Sequence, residues 1–203
     1  MDVNKSNDTE VLAKELLKNK FNAVTDISEE AMNELLSLLT FETYPKNTII
    51  FSENQSINDM HFIFKGIIRI YYHKNDKLII ERFEKEGGFF GGSYDHLSKY
   101  PKVHNIESLE DLMVLKIKQE DIEMLFKKYH ELEHLYRLLL EAFHYTYVDK
   151  LYILKAASSE ERYRDFEKEY GDVMNRISLR NVASYLNMTP ETVSRIRASQ
   201  EKK

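Results

Sequence analysis

"FIFKGIIRIYYHKNDKLIIERFEKEGGFFGG", Phe62 to Gly92, is the stretch whose reading decides the fold. It is dense in β-branched and aromatic residues, which suit a pleated, half-buried surface. Its runs are cut by Lys65-Gly66 and Asn75-Asp76, pairs that favour tight reversals. The pattern predicts strands over Met60–Phe64, Ile67–His73 and Leu78–Phe83, with both pairs as hairpin turns. It continues outward on each side, predicting strands at Thr48–Phe51 and Leu112–Ile117. Five of the six glycines (Gly66, Gly87, Gly88, Gly91 and Gly92) fall in this region. Glycine permits positive φ and close backbone approach, as a tightly wound sheet requires. Tyr44 to Ile117 therefore reads as an antiparallel β roll or barrel.

Outside the roll the apolar period changes from two to that of a helix. Val11–Leu17 and Glu29–Leu39 carry helical spacing, and Ser28 is a suitable N-cap for the second. After Ile117, Asp121–Tyr129 is a short amphipathic segment. Glu131 to about Ala157 is one long helical run without glycine or proline. Its apolar stripe is too wide for one buried face, so a second face needs cover. Leu132, Leu135, Leu139 and Ala142, at spacing 3, 4, 3, are candidates for a seam with the same helix of a second copy. A core helix of a monomer is the other reading. Ala156–Glu161 ("AASSEE") is small and polar, as a hinge would be. Glu160–Tyr170 is a further helix, with Gly171 well suited to the left-handed position after it.

The C-terminal segment "ISLRNVASYLNMTPETVSRIRA" (Ile177–Ala198) has the spacing of a helix-turn-helix. Ser178 caps its first helix, and Val182, Ala183 and Leu186 form the inner face. Asn187 suits the left-handed turn, Met188 is the expected buried turn residue, and Thr189 with Pro190 starts the second helix. Val193 and Ile196 face inward. Glu191, Thr192, Ser194, Arg195 and Arg197 are left outside. In this motif the N-terminal part of the second helix enters the major groove. Glu191 can accept from a cytosine amino group and Arg195 can clamp guanine. Arg180, Thr189, Thr192, Ser194 and Arg197 suit phosphates, which position without specifying. A small helical hairpin with no partner is the plainer reading.

Charge favours a local anionic partner. From Arg176 onward six positive residues face two negative ones, a net +4, which leaves −9 for the rest of a chain whose total is −5. The chain has no cysteine, which excludes disulfides, thiolate nucleophiles and iron–sulfur ligation. The polar start "MDVNKSNDTE" carries no secretory h-region, and no apolar run approaches the roughly 20 residues of a membrane span. The expectation is a cytoplasmic protein without a membrane partner. It divides into a β-roll domain with N-terminal helices (1–129), a dimerisation helix (130–157) and a helix-turn-helix domain (158–203), an α+β fold overall.

With both motifs in this order, the chain resembles the Crp/Fnr family of transcription regulators. The lysine-glycine pair and the G-x-F-x-G turn of Phe62–Gly92 match that family's cyclic-nucleotide-binding β roll. "TPETVSRIR" (Thr189–Arg197) matches its recognition helix, whose E-x-x-x-R pair falls on Glu191 and Arg195. The resemblance implies a homodimer that binds double-stranded DNA at a two-fold symmetric site and contacts RNA polymerase, with no enzymatic activity. It also implies an effector pocket near Gly91, Gly92 and Lys102. Here the sequence departs from the cyclic-AMP members. Gly92 stands at their ribose-binding glutamate, and Lys102-Val103 near their arginine-serine pair, so no cyclic-AMP response and no cofactor is expected. Pro190 replaces their first reading arginine, so the half-site should differ. Two other readings remain, a β-roll small-molecule sensor without DNA binding and a metal-dependent β-roll enzyme; separately, His61, His73, His96 and His104 lie in the β domain and are the residues that could hold a haem or metal there.

Overall fold

The computed structural model describes residues 3–53, 55, 57–92 and 104–200. Two helices, α1 (Val3–Asn22) and α2 (Glu29–Leu38), precede eight strands. The strands are β1 (Thr40–Tyr44), β2 (Ile49–Phe51), β3 (Met60–Lys65), β4 (Ile68–Lys74), β5 (Lys77–Glu84), β6 (Phe89–Gly91), β7 (Asn105–Ser108) and β8 (Leu112–Ile117). Then follow α3 (Gln119–Lys128), α4 (His130–Ala156), α5 (Ser159–Tyr170), a 3-10 turn at Met174–Arg176, α6 (Leu179–Tyr185) and α7 (Pro190–Gln200). Ser28 caps α2 as expected, its hydroxyl accepting the Ala31 N–H at 3.2 Å.

The strands form two antiparallel four-stranded sheets, ordered β1-β8-β3-β6 and β2-β7-β4-β5. This is the β roll that the sequence implies. Asn75 and Asp76 form the hairpin turn, with φ of 52° and 58°, the left-handed pair that a two-residue turn of this hand needs. Lys65-Gly66 corrects the reading above: β3 and β4 lie in different sheets, so the pair turns a corner between sheets and closes no hairpin. Gly66 is required there. Its φ is 109°, and a Cβ would stand 2.9 Å from the Asp111 carbonyl oxygen and 3.0 Å from the Leu112 Cα.

Pleat alternation sorts the strand residues into three cores. Ile63, Ile68, Ile70, Phe90, Ile106, Leu112 and Val114 fill the space between the sheets. Their neighbours point outward and are covered as well. Phe62, Leu115 and Ile117 pack under α1 to α4 with Leu17, Met32, Leu125, Leu132 and Leu135. Ile67, Tyr71, Ile80 and Phe83 pack under the C-terminal helices with Tyr163, Phe166, Tyr170, Val182 and Val193. Covering both outer faces explains why β4, β5 and β8 read as near-continuous apolar runs.

Helix α4 spans about 40 Å at ~1.5 Å per residue. Its expected seam is corrected. Leu132 and Leu135 are only 3% and 4% exposed, packed on the roll and on this chain's other helices. Leu139 packs against the same core and Ala142 is exposed. The outward apolar stripe lies further along: Leu140, Phe143, Tyr147, Leu151 and Leu154, each 45–54% exposed. At ~100° per residue these five fall within roughly 80° of the helix surface. The expected hinge is shorter too, because Ser158 caps α5 with Glu161 in a reciprocal capping box. Only Ala157 and Ser158 join the helices. Gly171 ends α5 with φ −57°, right-handed rather than left-handed. A Cβ there would stand 2.5 Å from the Glu167 carbonyl oxygen, so the glycine answers a close approach.

Candidate nucleic-acid interface

Helices α6 and α7 form from local signals that the sequence carries. The Ser178 hydroxyl accepts the Asn181 N–H at 3.3 Å and starts α6. Arg162 donates to the Leu186 carbonyl oxygen at 3.0 Å where α6 ends, which satisfies an otherwise orphan acceptor. Asn187 turns the chain with φ 53°. Thr189 then accepts the Thr192 N–H at 3.3 Å, and Pro190 follows at the first helical position, where its missing N–H costs nothing. Val193 and Ile196 are buried beneath α7 with Val182, Ala183 and Leu186. Met188 is only half-buried at the edge of that cluster.

What remains on the outer side of α7 is polar. Glu191, Ser194 and Arg195 are exposed, Thr192 is half-buried, and Arg180 is exposed on α6. Glu191 and Arg195 are one turn apart, and Arg195 has no ion-pair partner among the described residues. The Glu191 carboxyl is held below its ordinary range, first by its own backbone N–H and then by the Thr189 hydroxyl. It is therefore an acceptor at neutral pH.

Two arginines of the basic C-terminal segment are already engaged within the molecule. Arg197 donates through Nε to the Tyr163 hydroxyl at 2.8 Å, which ties α7 to α5. Only its terminal nitrogens are left for a phosphate. Arg176 grips two carboxylates of the roll, Glu86 at 2.6 and 3.1 Å and Glu110 at 3.2 Å through Nε. Its positive charge therefore serves the fold. The composition signal overstated the basic surface because charge counting cannot see the two carboxylates beside Arg176.

The glycine-rich turn shows a different economy. Gly91 lies in β6 opposite Met60 with φ 88°. A Cβ there would stand 2.1 Å from the Asp59 carbonyl oxygen, and the Gly92 N–H donates to that same oxygen at 3.1 Å. Gly91 is thus accounted for by contact with the chain entering β3, while Gly92 takes the left-handed φ of 63° with only the Met60 side chain near its Cβ position. Beside them His61 is 1% exposed, stacked on Phe90 at 4.5 Å and edge-on to Phe51. Burial pushes its imidazole down to about 4, so it is neutral, and its Nδ1 has no hydrogen-bond partner. His104 pairs with Glu81 at 2.7 Å. Among the described residues no three His, Asp or Glu side chains cluster as a metal site would. Lys102 and His96 lie outside the described residues.

Comparison with known proteins places this geometry. Residues 41–129 match the model of the cyclic nucleotide-binding domain. The structure of FixK2 from Bradyrhizobium japonicum superposes with a TM-score of 0.68 at 22% identity, over 81% of this chain and 85% of that one. CLP of Xanthomonas campestris, a c-di-GMP-responsive global regulator linking cell-cell signalling to virulence gene expression, gives 0.59 at 13% identity, over 86% and 92%. The Thermus thermophilus catabolite activator protein gives 0.52 at 19% identity, over 87% and 84%. At these identities the likeness is one of fold. A search of curated protein sequences found no significant match.

Proposed function

We propose, for a chain that carries a cyclic nucleotide-binding domain within the fold of Crp/Fnr regulators, that it is a homodimeric, sequence-specific DNA-binding transcription regulator. The observation that carries this reading is the division of α7. Val193 and Ile196 hold the helix to its own core, while Glu191, Ser194 and Arg195 stand outside. Glu191 reads a cytosine amino group and Arg195 a guanine edge. Arg180, Thr189, Thr192, Ser194 and the free end of Arg197 hold phosphates. The dimer forms along Leu140, Phe143, Tyr147, Leu151 and Leu154 of α4, replacing the seam expected from spacing alone. Two-fold symmetry then sets two copies of α7 into major grooves about 34 Å apart.

Cyclic AMP is not the effector in this reading. Gly92 offers no carboxylate to a ribose, and Lys102 is a point charge where an arginine fork would be wanted. RNA polymerase is the partner by resemblance. Titration of the purified protein with duplex DNA at several salt concentrations tests the proposal. Affinity should fall linearly on logarithmic axes as salt rises, as counterions are released. Failure to bind any duplex at low salt would leave the sensor without DNA binding as the better reading.

A further inference from the structure

We infer that the helix-turn-helix is locked to the roll as one body through the edge strand β5, and does not swing on the joint at Ala157-Ser158. This does not rest on what α7 binds. Strand β5 is the last of its sheet, and an edge strand presents unpaired backbone groups. Helix α6 supplies the partner that a further strand would have given. The Ser184 hydroxyl accepts the Ile80 N–H at 3.1 Å and donates to the Leu78 carbonyl oxygen at 2.9 Å. One side chain thus satisfies a donor and an acceptor of the same edge.

Four further ties surround it. Arg69, held by Glu107 at 2.8 Å, donates to the Asn181 amide oxygen at 2.9 Å. The Tyr170 hydroxyl donates to the Phe83 carbonyl oxygen at 3.1 Å. Lys85 donates to the Glu169 carbonyl oxygen at 3.0 Å and pairs with Asp172. Arg176 grips Glu86 and Glu110. Between these ties the packing is continuous: Tyr71, Ile80 and Phe83 of the roll share one core with Tyr163, Phe166, Val182, Val193 and Ile196. Swinging α5 to α7 away would bare that shared face to water and orphan the β5 edge, and both changes oppose it.

Native-state hydrogen exchange on the full chain tests this, because the Ile80 N–H is covered only from the helix-turn-helix side. If the lock holds, the Ile80 amide exchanges within about tenfold of the amides of β4, inside the same sheet. Ser184→Ala should speed Ile80 exchange while the Val193 amide, inside α7, keeps its protection. The inference is overturned if, in the unaltered protein, Ile80 exchanges at least about a hundredfold faster than both β4 and Val193. That pattern would mean a folded helix-turn-helix detached from the roll. The readout is independent of DNA, so its failure is distinct from failure of the DNA reading.

Discussion

The outer side of α7 and the turn at Phe89–Gly92 are both places where the sequence carries a motif, and the molecule treats them oppositely. On α7 the apolar positions are inside and the chemically capable ones are outside: Glu191 is ionised and exposed, and Arg195 has no ion-pair partner among the described residues. At the turn the capable groups are turned inward. His61 is buried and neutral against Phe90, and Gly91 is pressed onto the Asp59 carbonyl. An exposed carboxylate and an exposed guanidinium one turn apart, on a helix already held to its own core, mark a surface awaiting a partner. A glycine whose Cβ would strike a backbone carbonyl is explained by the fold. Glycine at 91 needs no ligand to account for it.

Substitutions along these regions separate folding from recognition. The largest effect belongs to the packed side. Leu135→Ala should cost about 2–5 kcal/mol of unfolding free energy in a denaturant titration, because Leu135 lies in the helical core. On the same helix, Leu151→Ala should leave the fold nearly as stable and weaken self-association instead, as sedimentation would show. If Leu135→Ala weakened association without loss of stability, the reassigned seam would be wrong.

Next in size is a pH effect confined to the turn. The His61 imidazole falls from an ordinary 6.5 to about 4 on folding. Its folded form is neutral, so the unfolded chain gains the proton first. No stability is lost above pH 6.5, and loss grows as pH falls from 6.5 towards 4, to about 3 kcal/mol at ~1.4 kcal/mol per unit. His61→Leu should flatten stability over that window, and an unchanged slope would place the titration elsewhere.

On the recognition side the effects are smaller and bear on DNA. Glu191→Ala should cost about 1–3 kcal/mol of specific binding and relax preference at one base per half-site, while melting with the parent protein. Thr189→Ala should do the reverse in part. It removes the cap of α7 and costs about 1 kcal/mol of stability, and DNA affinity falls alike for every sequence, through the frayed helix and the lost phosphate contact.

Much of this comparison was legible in the sequence. The strands β3, β4, β5 and β8 announced themselves by apolar runs, and Ser28, Ser178, Asn187 and Thr189 by cap and turn chemistry, since these signals are local. Three strands carried no such signal. β1 ("TFETY") follows directly on α2, β6 is three residues between glycines, and β7 ("NIES") is half polar and owes its place to β2 and β4. The errors share one cause. Lys65-Gly66 looks the same whether it closes a hairpin or turns a corner between sheets. Periodicity finds stripes on α4 but cannot say which stripe meets the chain's own core. Arg176 counts as a free charge until Glu86 and Glu110 are seen beside it. Each depends on partners distant in sequence, which spacing does not record.

The central claim is that the exposed face of α7 reads base sequence. Selection of bound duplexes from a random pool, run in parallel on the protein and on Arg195→Ala, tests it most directly. The account predicts a two-fold symmetric site with half-sites about one helical turn apart. It also predicts that the variant loses preference at one guanine in each half while its other positions are kept. Enrichment of the same site by both proteins, or of no site by either, would contradict it.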